Sequence, residues 1–257
     1  MQITDSVFFI SGGASGLGEA VARRAIAGGA AGVVIADLNL AAAQSLASEL
    51  GDRAFAVEVD VQSTEAISAG INAGMDKFGQ LHVAVNCAGI GWAERTLDRE
   101  SNAASIDNYR RVININLIGT YDVSRLAAEQ MAKNEPNADG ERGVVVLTSS
   151  LAAFDGQIGQ AAYSSSKGGI VGLTLPLSRD LSPVGVRVMT IAPGLFDTPI
   201  YDTMPPGLKE HLASTPVFPR RLGLPDEYAH LVQTVVENAY LNGETIRLDA
   251  ALRMAPK

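Results

Sequence analysis

The chain has little of what several classes of protein need. Cys87 is its only cysteine, so an intrachain disulfide is impossible. It contains no run of 18 apolar residues, so we expect no membrane-spanning segment and no membrane partner. Lys and Arg number 20 against 28 Asp and Glu, which gives a net charge of −8. Because a nucleic-acid surface needs a basic field, we expect no nucleic-acid partner either.

Metal and targeting signals are also missing. The three histidines, His82, His211 and His230, stand without the spacing of metal ligands, so no metal is expected. The first residues, "MQITDS", lead at once into an apolar strand, without a charged segment followed by an apolar one. This pattern predicts no secretion signal, and a cytoplasmic location is the default expectation.

What the chain does have is a regular alternation of apolar, β-branched runs and helical stretches. With 257 residues, 47% of them apolar, it can bury a large core. Strands are predicted at 7–12, 32–37, 54–60, 81–89, 143–150, 186–193 and 244–249, and helices at about 17–28, 40–50, 63–78, 105–133 and 161–181. Apolar strands that alternate with helices indicate one α/β domain over residues 1–257, with a Rossmann-type, doubly wound parallel sheet of seven strands and helices on both faces.

One long segment breaks this alternation. The stretch from Pro193 to Pro225 holds seven of the 11 prolines, so no regular element is expected in it. It follows the sixth strand, and ligands of such sheets bind at the carboxyl ends of the strands. We therefore expect a substrate lid at about 194–225.

A glycine-rich run, "SGGASGLG" at 11–18, lies between the first strand and the first helix. Its glycines stand at Gly12, Gly16 and Gly18, where they would let a pyrophosphate approach the backbone and the N-terminus of the helix. A tight strand-to-helix turn is the structural alternative, but the order of strand, motif and helix favours a nucleotide site.

Asp37 ends the second strand, 19 residues after Gly18. A carboxylate at this place can accept hydrogen bonds from both ribose hydroxyls of an adenosine and would repel a 2′-phosphate. Ser15 and Leu38 flank it without a positive charge, so NAD is favoured over NADP as the cofactor.

In "AAYSSSKGG" (161–169), Tyr163 and Lys167 stand four residues apart. On a helix both side chains would face the same space, and a lysine close to a phenol favours the phenolate and lowers the pKa of the tyrosine. A partly exposed surface pair is the alternative, because this spacing alone is common.

Together these motifs resemble the short-chain dehydrogenase/reductase family. The resemblance extends over essentially the whole chain, and Ser150 lies 13 residues before Tyr163, as in that family. It is carried by Ser11, Gly12, Gly16, Gly18, Asn86-Cys87-Ala88-Gly89, Asn116, Ser150, Tyr163, Lys167 and Pro193-Gly194.

The resemblance implies a role for each matching residue. Tyr163 would be the general acid/base, and Lys167 would lower its pKa and hold the nicotinamide ribose. Ser150 would donate to the substrate oxygen, and Asn116 would hold a water through which protons leave. The cofactor would be bound by Gly12, Ser15, Gly16, Leu17, Gly18, Asp37, Leu38, Asp60, Val61, Asn86, Ala88, Gly89, Tyr163, Lys167, Pro193, Gly194 and Thr198.

Longer stretches, 152–199 and 227–256, are similar to a group within that family, the type-2 3-hydroxyacyl-CoA dehydrogenases. This likeness implies NAD-dependent interconversion of (S)-3-hydroxyacyl-CoA and 3-oxoacyl-CoA, and a homotetramer. The alternatives are a reductase of other 3-oxoacyl thioesters, a hydroxysteroid dehydrogenase, or an NAD-bound scaffold or redox sensor. Intact residues at 116, 150, 163 and 167 argue against the scaffold.

Overall fold

A parallel sheet of seven strands forms the centre of the structure, a computed structural model that describes residues 1–199 and 207–256. Most of its strands consist of buried apolar residues, as expected where both faces of a sheet are covered. The strands are β1 (Val7–Ser11), β2 (Gly32–Asp37), β3 (Ala54–Glu58), β4 (Val83–Asn86), β5 (Gly143–Thr148), β6 (Val186–Pro193) and β7 (Thr245–Leu248).

The strand order is β3-β2-β1-β4-β5-β6-β7, and every neighbouring pair is parallel. The chain moves outward from β1 to β3, then crosses back to β4 and continues in the other direction. The reversal leaves a crevice at the carboxyl ends of β1 and β4, the place where open α/β sheets bind ligands. The predicted fold class is confirmed.

Helices cover both faces of the sheet. They are α1 (Gly16–Ala27), α2 (Leu40–Leu50), α3 (Thr64–Phe78), α4 (Ile106–Ile113), α5 (Gly119–Met131), α6 (Ala161–Leu181), α7 (Leu208–Ala213) and α8 (Pro225–Glu237). One core cluster joins the sheet to α1, α2 and α8, and a second joins it to α3, α5 and α6. The three-layer arrangement follows from the apolar stripe that each helix turns toward the strands.

Three parts of the chain differ from the prediction. The helix expected over 105–133 is interrupted by one π-helical turn, Asn114–Ile118, between α4 and α5. The segment between Pro193 and Pro225 contains a short regular element, α7. The last difference is α8, which was not predicted although it begins with Pro225 at its first position and carries Asp226 and Glu227 in its first turn, both typical of a helix start.

Candidate active site

A cleft of about 580 Å³ opens at the carboxyl ends of the strands. It brings together residues that lie far apart in the sequence, from the turn after β1 to the segment after β6. Most of the predicted site residues line it: Gly12, Ser15, Gly16, Leu17, Gly18, Asp37, Leu38, Asp60, Val61, Ala88, Gly89, Ser150, Tyr163, Lys167, Pro193, Gly194 and Thr198.

The glycine-rich turn forms the wall beside α1. Gly12 has a φ of 65°, and a Cβ built on it would lie only 2.6 Å from the backbone nitrogen of Ala88. A side chain at this place would push β1 and β4 apart, so glycine is required. Ser15, the N-cap of α1, makes no side-chain capping bond. The first N–H groups of α1 are therefore free to bind an anion, which fits the pyrophosphate of a dinucleotide.

Asp37 lies on the far side of this turn, at the end of β2. Its carboxylate accepts hydrogen bonds from the backbone N–H groups of Ala14 (3.0 Å) and Asn39 (2.9 Å). Each carboxylate oxygen has two lone pairs, so both can accept one more hydrogen bond from the cleft side. The flanking cleft residues, Ser15 and Leu38, are uncharged. These contacts fix a negative charge where the adenosine ribose of a dinucleotide would lie.

Tyr163 and Lys167 meet at the opposite end of the cleft, on the first turns of α6. The Lys167 ammonium is 5.9 Å from the centre of the Tyr163 ring, and it donates to the carbonyl oxygen of Thr148 at 2.9 Å. Ser150 begins the short turn after β5, where its hydroxyl accepts from the N–H of Ala152 (3.1 Å). It also lies beside the phenol of Tyr163 and acts to lower the pKa of that phenol. Phenol, ammonium and hydroxyl thus face one space.

Burial governs the protonation of this group. It raises the pKa of Tyr163, and the hydrogen bond with Ser150 lowers it by less. Burial also lowers the pKa of Lys167 to about 8. In this structure the pKa of Tyr163 therefore lies above its ordinary value, because desolvation of the phenol is the largest effect on it. That Lys167 lowers this pKa during the reaction stays a prediction. The pair still shares one face of α6, as the spacing predicts.

Comparison with known proteins identifies the family. The model of the short chain dehydrogenase family matches residues 6–208. A 3-hydroxyacyl-CoA dehydrogenase type-2 of Bos taurus is 53% identical over 251 residues, 97% of this chain and 96% of that protein.

The chain belongs to the short-chain dehydrogenase family.

Solved structures of relatives agree with this assignment. The crystal structure of 3-hydroxyacyl-CoA dehydrogenase type-2 from Mycobacterium avium matches with a TM-score of 0.94 at 44% identity, over 98% of both chains. That of a 3-ketoacyl-(acyl-carrier-protein) reductase from Brucella melitensis, complexed with NADH, gives 0.85 at 27% identity, over 98% of this chain and all of the other. This short-chain dehydrogenase is accordingly an oxidoreductase, and the predicted family is confirmed.

Asn116 lies behind the cleft wall of this short-chain dehydrogenase, in the π-helical turn. Its side-chain oxygen accepts from the N–H of Ile90 (2.8 Å), and its amide nitrogen donates to the carbonyl of Ile90 (2.9 Å) and to Ser166 (3.1 Å). The side chain is fully buried, and both of its amide protons are already used. Asn116 therefore clamps the segment at Ile90 in place. Its backbone carbonyl accepts from the Thr120 hydroxyl at 2.7 Å, and its water-holding role stays a prediction.

Asn86 is not among the residues that line the cleft. It ends β4, is 2% exposed and donates to the hydroxyl of Ser124 at 3.2 Å, away from the cleft. Its predicted contact with the cofactor stays a prediction. The residue ties the end of β4 to α5, below the floor of the cleft.

Several residues of the cleft were missed in the sequence. Arg111 and Ile115 line it from α4 and the π-helical turn, and Thr148 and Ser149 line it from the end of β5. A signal for the first two exists: they are four residues apart, so they share a helix face that points to the cleft. The other two carry no local pattern, because only the crossing of strands brings them to the site.

The two neighbouring arginines of the lid, Arg220 and Arg221, differ in their pairing. Arg221 pairs with both carboxylate oxygens of Glu227, at 2.8 and 2.7 Å. This ion pair ties the lid to the first turn of α8. Arg220 is exposed and has no acidic partner among the described residues. Phe196 is buried and forms a bridge with Gly223. Ile200, another predicted lid residue, lies outside the described residues.

In residues 1–199 and 207–256, no group of three or more His, Cys, Asp or Glu side chains could hold a metal ion. Over the same ranges, none of the helices has the length and apolarity that a membrane crossing requires.

Proposed function

We propose that this short-chain dehydrogenase interconverts (S)-3-hydroxyacyl-CoA and 3-oxoacyl-CoA with NAD as its cofactor. The observation that carries the proposal is a single cleft with Tyr163, Lys167 and Ser150 at one end and the glycine turn and Asp37 at the other. A proton-transfer group and a dinucleotide site in one cleft suit hydride transfer. The substrate class is supported by the name of the 53% identical bovine relative.

Tyr163 would move the proton. In the oxidation direction its Oη would take the proton of the substrate hydroxyl as the carbon–oxygen bond becomes a carbonyl, and in the reduction direction it would return that proton. The Ser150 hydroxyl, next to Tyr163, would donate to the same substrate oxygen and stabilise the negative charge that develops on it. When bound, the nicotinamide ring would supply the hydride acceptor or donor.

Lys167 would act electrostatically and as a binding group. Its ammonium, 5.9 Å from the Tyr163 ring, favours the phenolate over the phenol. The two remaining protons of its ammonium can donate to hydroxyl oxygens of a ribose, since one proton is used by Thr148. The role of Lys167 as ribose ligand follows the family and stays a prediction.

NAD is the proposed cofactor because of the negative charge at the end of the cleft where the adenosine of the cofactor would lie. Asp37 places a carboxylate there, and a 2′-phosphate would meet both its charge and its lone pairs. Asp60 adds a second carboxylate to the same end, where it accepts from the N–H of Gln62 at 2.9 Å. Two carboxylates favour the ribose hydroxyls of NAD over the phosphate of NADP.

The lid offers a surface for an acyl-CoA. Its described apolar residues, Leu195, Phe196, Leu208, Leu212 and Phe218, could cover an acyl chain, and Phe218 is exposed. For the phosphates of CoA, the exposed Arg220 is the cation we propose, since Arg221 is neutralised by Glu227.

A homotetramer in the cytoplasm completes the proposal, and both parts rest on the family likeness. An apolar surface supports the assembly: Ile118, Tyr121 and Leu175 are exposed on the π-helical turn, α5 and α6. A Cβ built on Gly172 of α6 meets no atom within 4 Å, so this helix presents an open face that a neighbouring helix could approach.

The test is a substrate and cofactor panel. We expect NADH oxidation with acetoacetyl-CoA to exceed, by kcat/KM, the oxidation with the matching carrier-protein thioester and with a 17-ketosteroid, and NADPH to be the poorer cofactor. If the CoA ester is the poorest of the three, the substrate is wrong although hydride transfer stands. If none of the three is reduced but NADH binds, the scaffold alternative gains support.

A further inference from the structure

Three side chains form a closed hydrogen-bonded ring beside the cleft: Cys87 after β4, Thr148 at the end of β5 and Tyr228 in α8. The Thr148 hydroxyl and the Tyr228 hydroxyl are 2.7 Å apart. Thr148 donates to the Cys87 sulfur at 3.7 Å, and the Cys87 thiol donates to the Tyr228 oxygen at 3.9 Å. With Tyr228 donating to Thr148, each group gives one proton and accepts one.

The ring is uncharged; Tyr228 and Thr148 are buried, and Cys87 is half-buried at the cleft. Tyr228 is fully buried, and burial raises its pKa well above the ordinary value of a phenol. Burial also raises the pKa of the Cys87 thiol. Both groups therefore keep their protons at neutral pH. Since buried hydroxyls without partners are costly, the loss of any one member leaves the other two with an unmatched donor or acceptor.

Thr148 connects this ring to the proposed catalytic residues. Its carbonyl oxygen accepts from the Lys167 ammonium at 2.9 Å, so the place of Thr148 determines the place of the ammonium. The next residue, Ser149, donates from its hydroxyl to the backbone carbonyl of Lys167 at 2.8 Å, and Ser150 follows directly. The C-terminal end of β5 and the first turns of α6, which carry the proposed catalytic residues, thus meet at Thr148.

Tyr228 connects the ring to the lid. Its ring packs edge-to-face against Phe196, with the ring centres 6.4 Å apart and the planes at 86°. Phe196 follows β6, lines the cleft and forms a bridge with Gly223. Tyr228 therefore lies between a lid residue and the strand end that holds Lys167.

We propose that Tyr228 and Thr148 are positioning residues, which hold the Lys167 ammonium at its working place through the Thr148 carbonyl. The inference rests on the proposed function, because it assigns Lys167 a role in proton transfer and cofactor binding. Tyr228 itself touches neither substrate nor cofactor in this scheme, and it acts through Thr148.

Four variants test it. Tyr228→Phe removes one hydroxyl from the ring and keeps the aromatic packing on Phe196. Thr148→Val removes the second hydroxyl at nearly constant volume, and Thr148→Ser restores it. The matched control is Thr190→Val, which breaks a buried hydroxyl pair of the same kind, Thr190 with Thr174 at 2.6 Å, between β6 and α6.

We expect kcat to fall about three- to tenfold in Tyr228→Phe and Thr148→Val, the size of one lost hydrogen bond. Thr148→Ser and Thr190→Val should keep the wild-type kcat. A misplaced Thr148 carbonyl makes a weaker hydrogen bond to the Lys167 ammonium, so the pKa of Lys167 should fall. The alkaline limb of the kcat profile should therefore move to lower pH. Two titratable groups face Lys167 in the described part of the chain, Tyr163 and Cys87, and both are intact in these variants.

A purely structural role gives a different pattern. If Tyr228→Phe and Thr148→Val lower the unfolding midpoint as Thr190→Val does, but keep the wild-type kcat and pH profile, the positioning role is wrong. Should Tyr228→Phe fail to fold, Thr148→Val opens the same ring while Tyr163 and Cys87 stay intact, and it is expected to move the pH profile in the same direction.

Binding of NADH, followed by its fluorescence, separates this inference from the substrate proposal. The affinity for NADH should fall as Lys167 loses its proton, and the midpoint of that fall should lie at lower pH in Tyr228→Phe than in Thr190→Val. This readout needs no substrate. If wild-type protein does not reduce acetoacetyl-CoA but the midpoint moves, the substrate is wrong and the positioning role stands; equal midpoints contradict the positioning role.

Discussion

A single oxygen atom, Oη of Tyr163, carries the proton in the proposed reaction. We expect Tyr163→Phe to lower kcat about 10²- to 10⁴-fold, the usual contribution of a general acid or base. The ring packing is unchanged by the substitution, so folding and NADH affinity should stay close to those of the wild type.

Tyr240→Phe is the control for this variant, because Tyr240 is 99% exposed and far from any structural role. It should leave kcat unchanged. Residual activity above about a tenth in Tyr163→Phe would be too high for a general acid/base and would contradict its assignment.

Asp37 decides between the two nicotinamide cofactors. We expect Asp37→Ala to weaken NADH binding and to narrow the preference for NADH over NADPH, since the substitution removes both the ribose acceptors and the repelling charge. Glu58→Ala is a matched control: Glu58 is the register partner of Asp37 on β3, is exposed and carries the same charge. Isothermal titration with both cofactors gives the answer, and tighter binding of NADPH by the wild type would contradict the proposal.

The turn after β7 joins the C-terminal strand to the lid. The carbonyl oxygen of Ala250 accepts from the N–H groups of Val217 (3.1 Å) and Phe218 (3.4 Å), and Ala250 has a left-handed φ of 50°. Because a Cβ makes this conformation costly, Ala250→Gly should raise the free energy of unfolding by up to about 1 kcal/mol. Ala255→Gly, where φ is negative, should lower it instead. Chemical denaturation measures both, and a destabilised Ala250→Gly would show that the turn is not strained.

Elements with a strong local pattern were predictable. The predicted strand 32–37 and the predicted helices 40–50 and 161–181 coincide with β2, α2 and α6. A strand buried on both faces shows as a continuous apolar run, and a packed helix shows as apolar residues that recur every three or four positions. The glycine turn was predictable for another reason: any side chain at Gly12 would clash with the backbone of Ala88.

Contacts between distant elements were not predictable. Asn86 and Asn116 stand in the right motifs, yet the structure turns their side chains toward Ser124 and Ile90, and no local spacing reveals such partners. The ring of Cys87, Thr148 and Tyr228 joins residues up to 141 positions apart. Only the packing of β4, β5 and α8 creates it.

Acid stability of the folded protein depends in part on His82. Its Nδ1 accepts from the N–H of Val7 at 3.0 Å, and burial lowers its pKa from the ordinary 6.5. The unfolded chain therefore binds this proton at a higher pH than the folded one, so the stabilisation is complete above pH 6.5 and is lost as the pH falls through the folded pKa. His82→Asn keeps an acceptor for Val7 but cannot titrate. We expect its free energy of unfolding to fall less between pH 7 and pH 5 than that of the wild type; equal slopes would contradict this role.

The open face of α6 at Gly172 is the proposed contact between subunits. Gly172→Arg introduces a bulky charge where the isolated subunit has free space, and replacing a helical glycine stabilises the helix by about 1 kcal/mol. The subunit should therefore fold, and any loss of assembly reports a blocked contact. By light scattering we expect a tetramer for the wild type and a smaller species for Gly172→Arg. Gln44→Arg, with the same charge on α2 across the sheet, should stay a tetramer. A wild-type mass of 26.9 kDa, that of one chain, would contradict the assembly itself, and a tetrameric Gly172→Arg would place the contact on another surface.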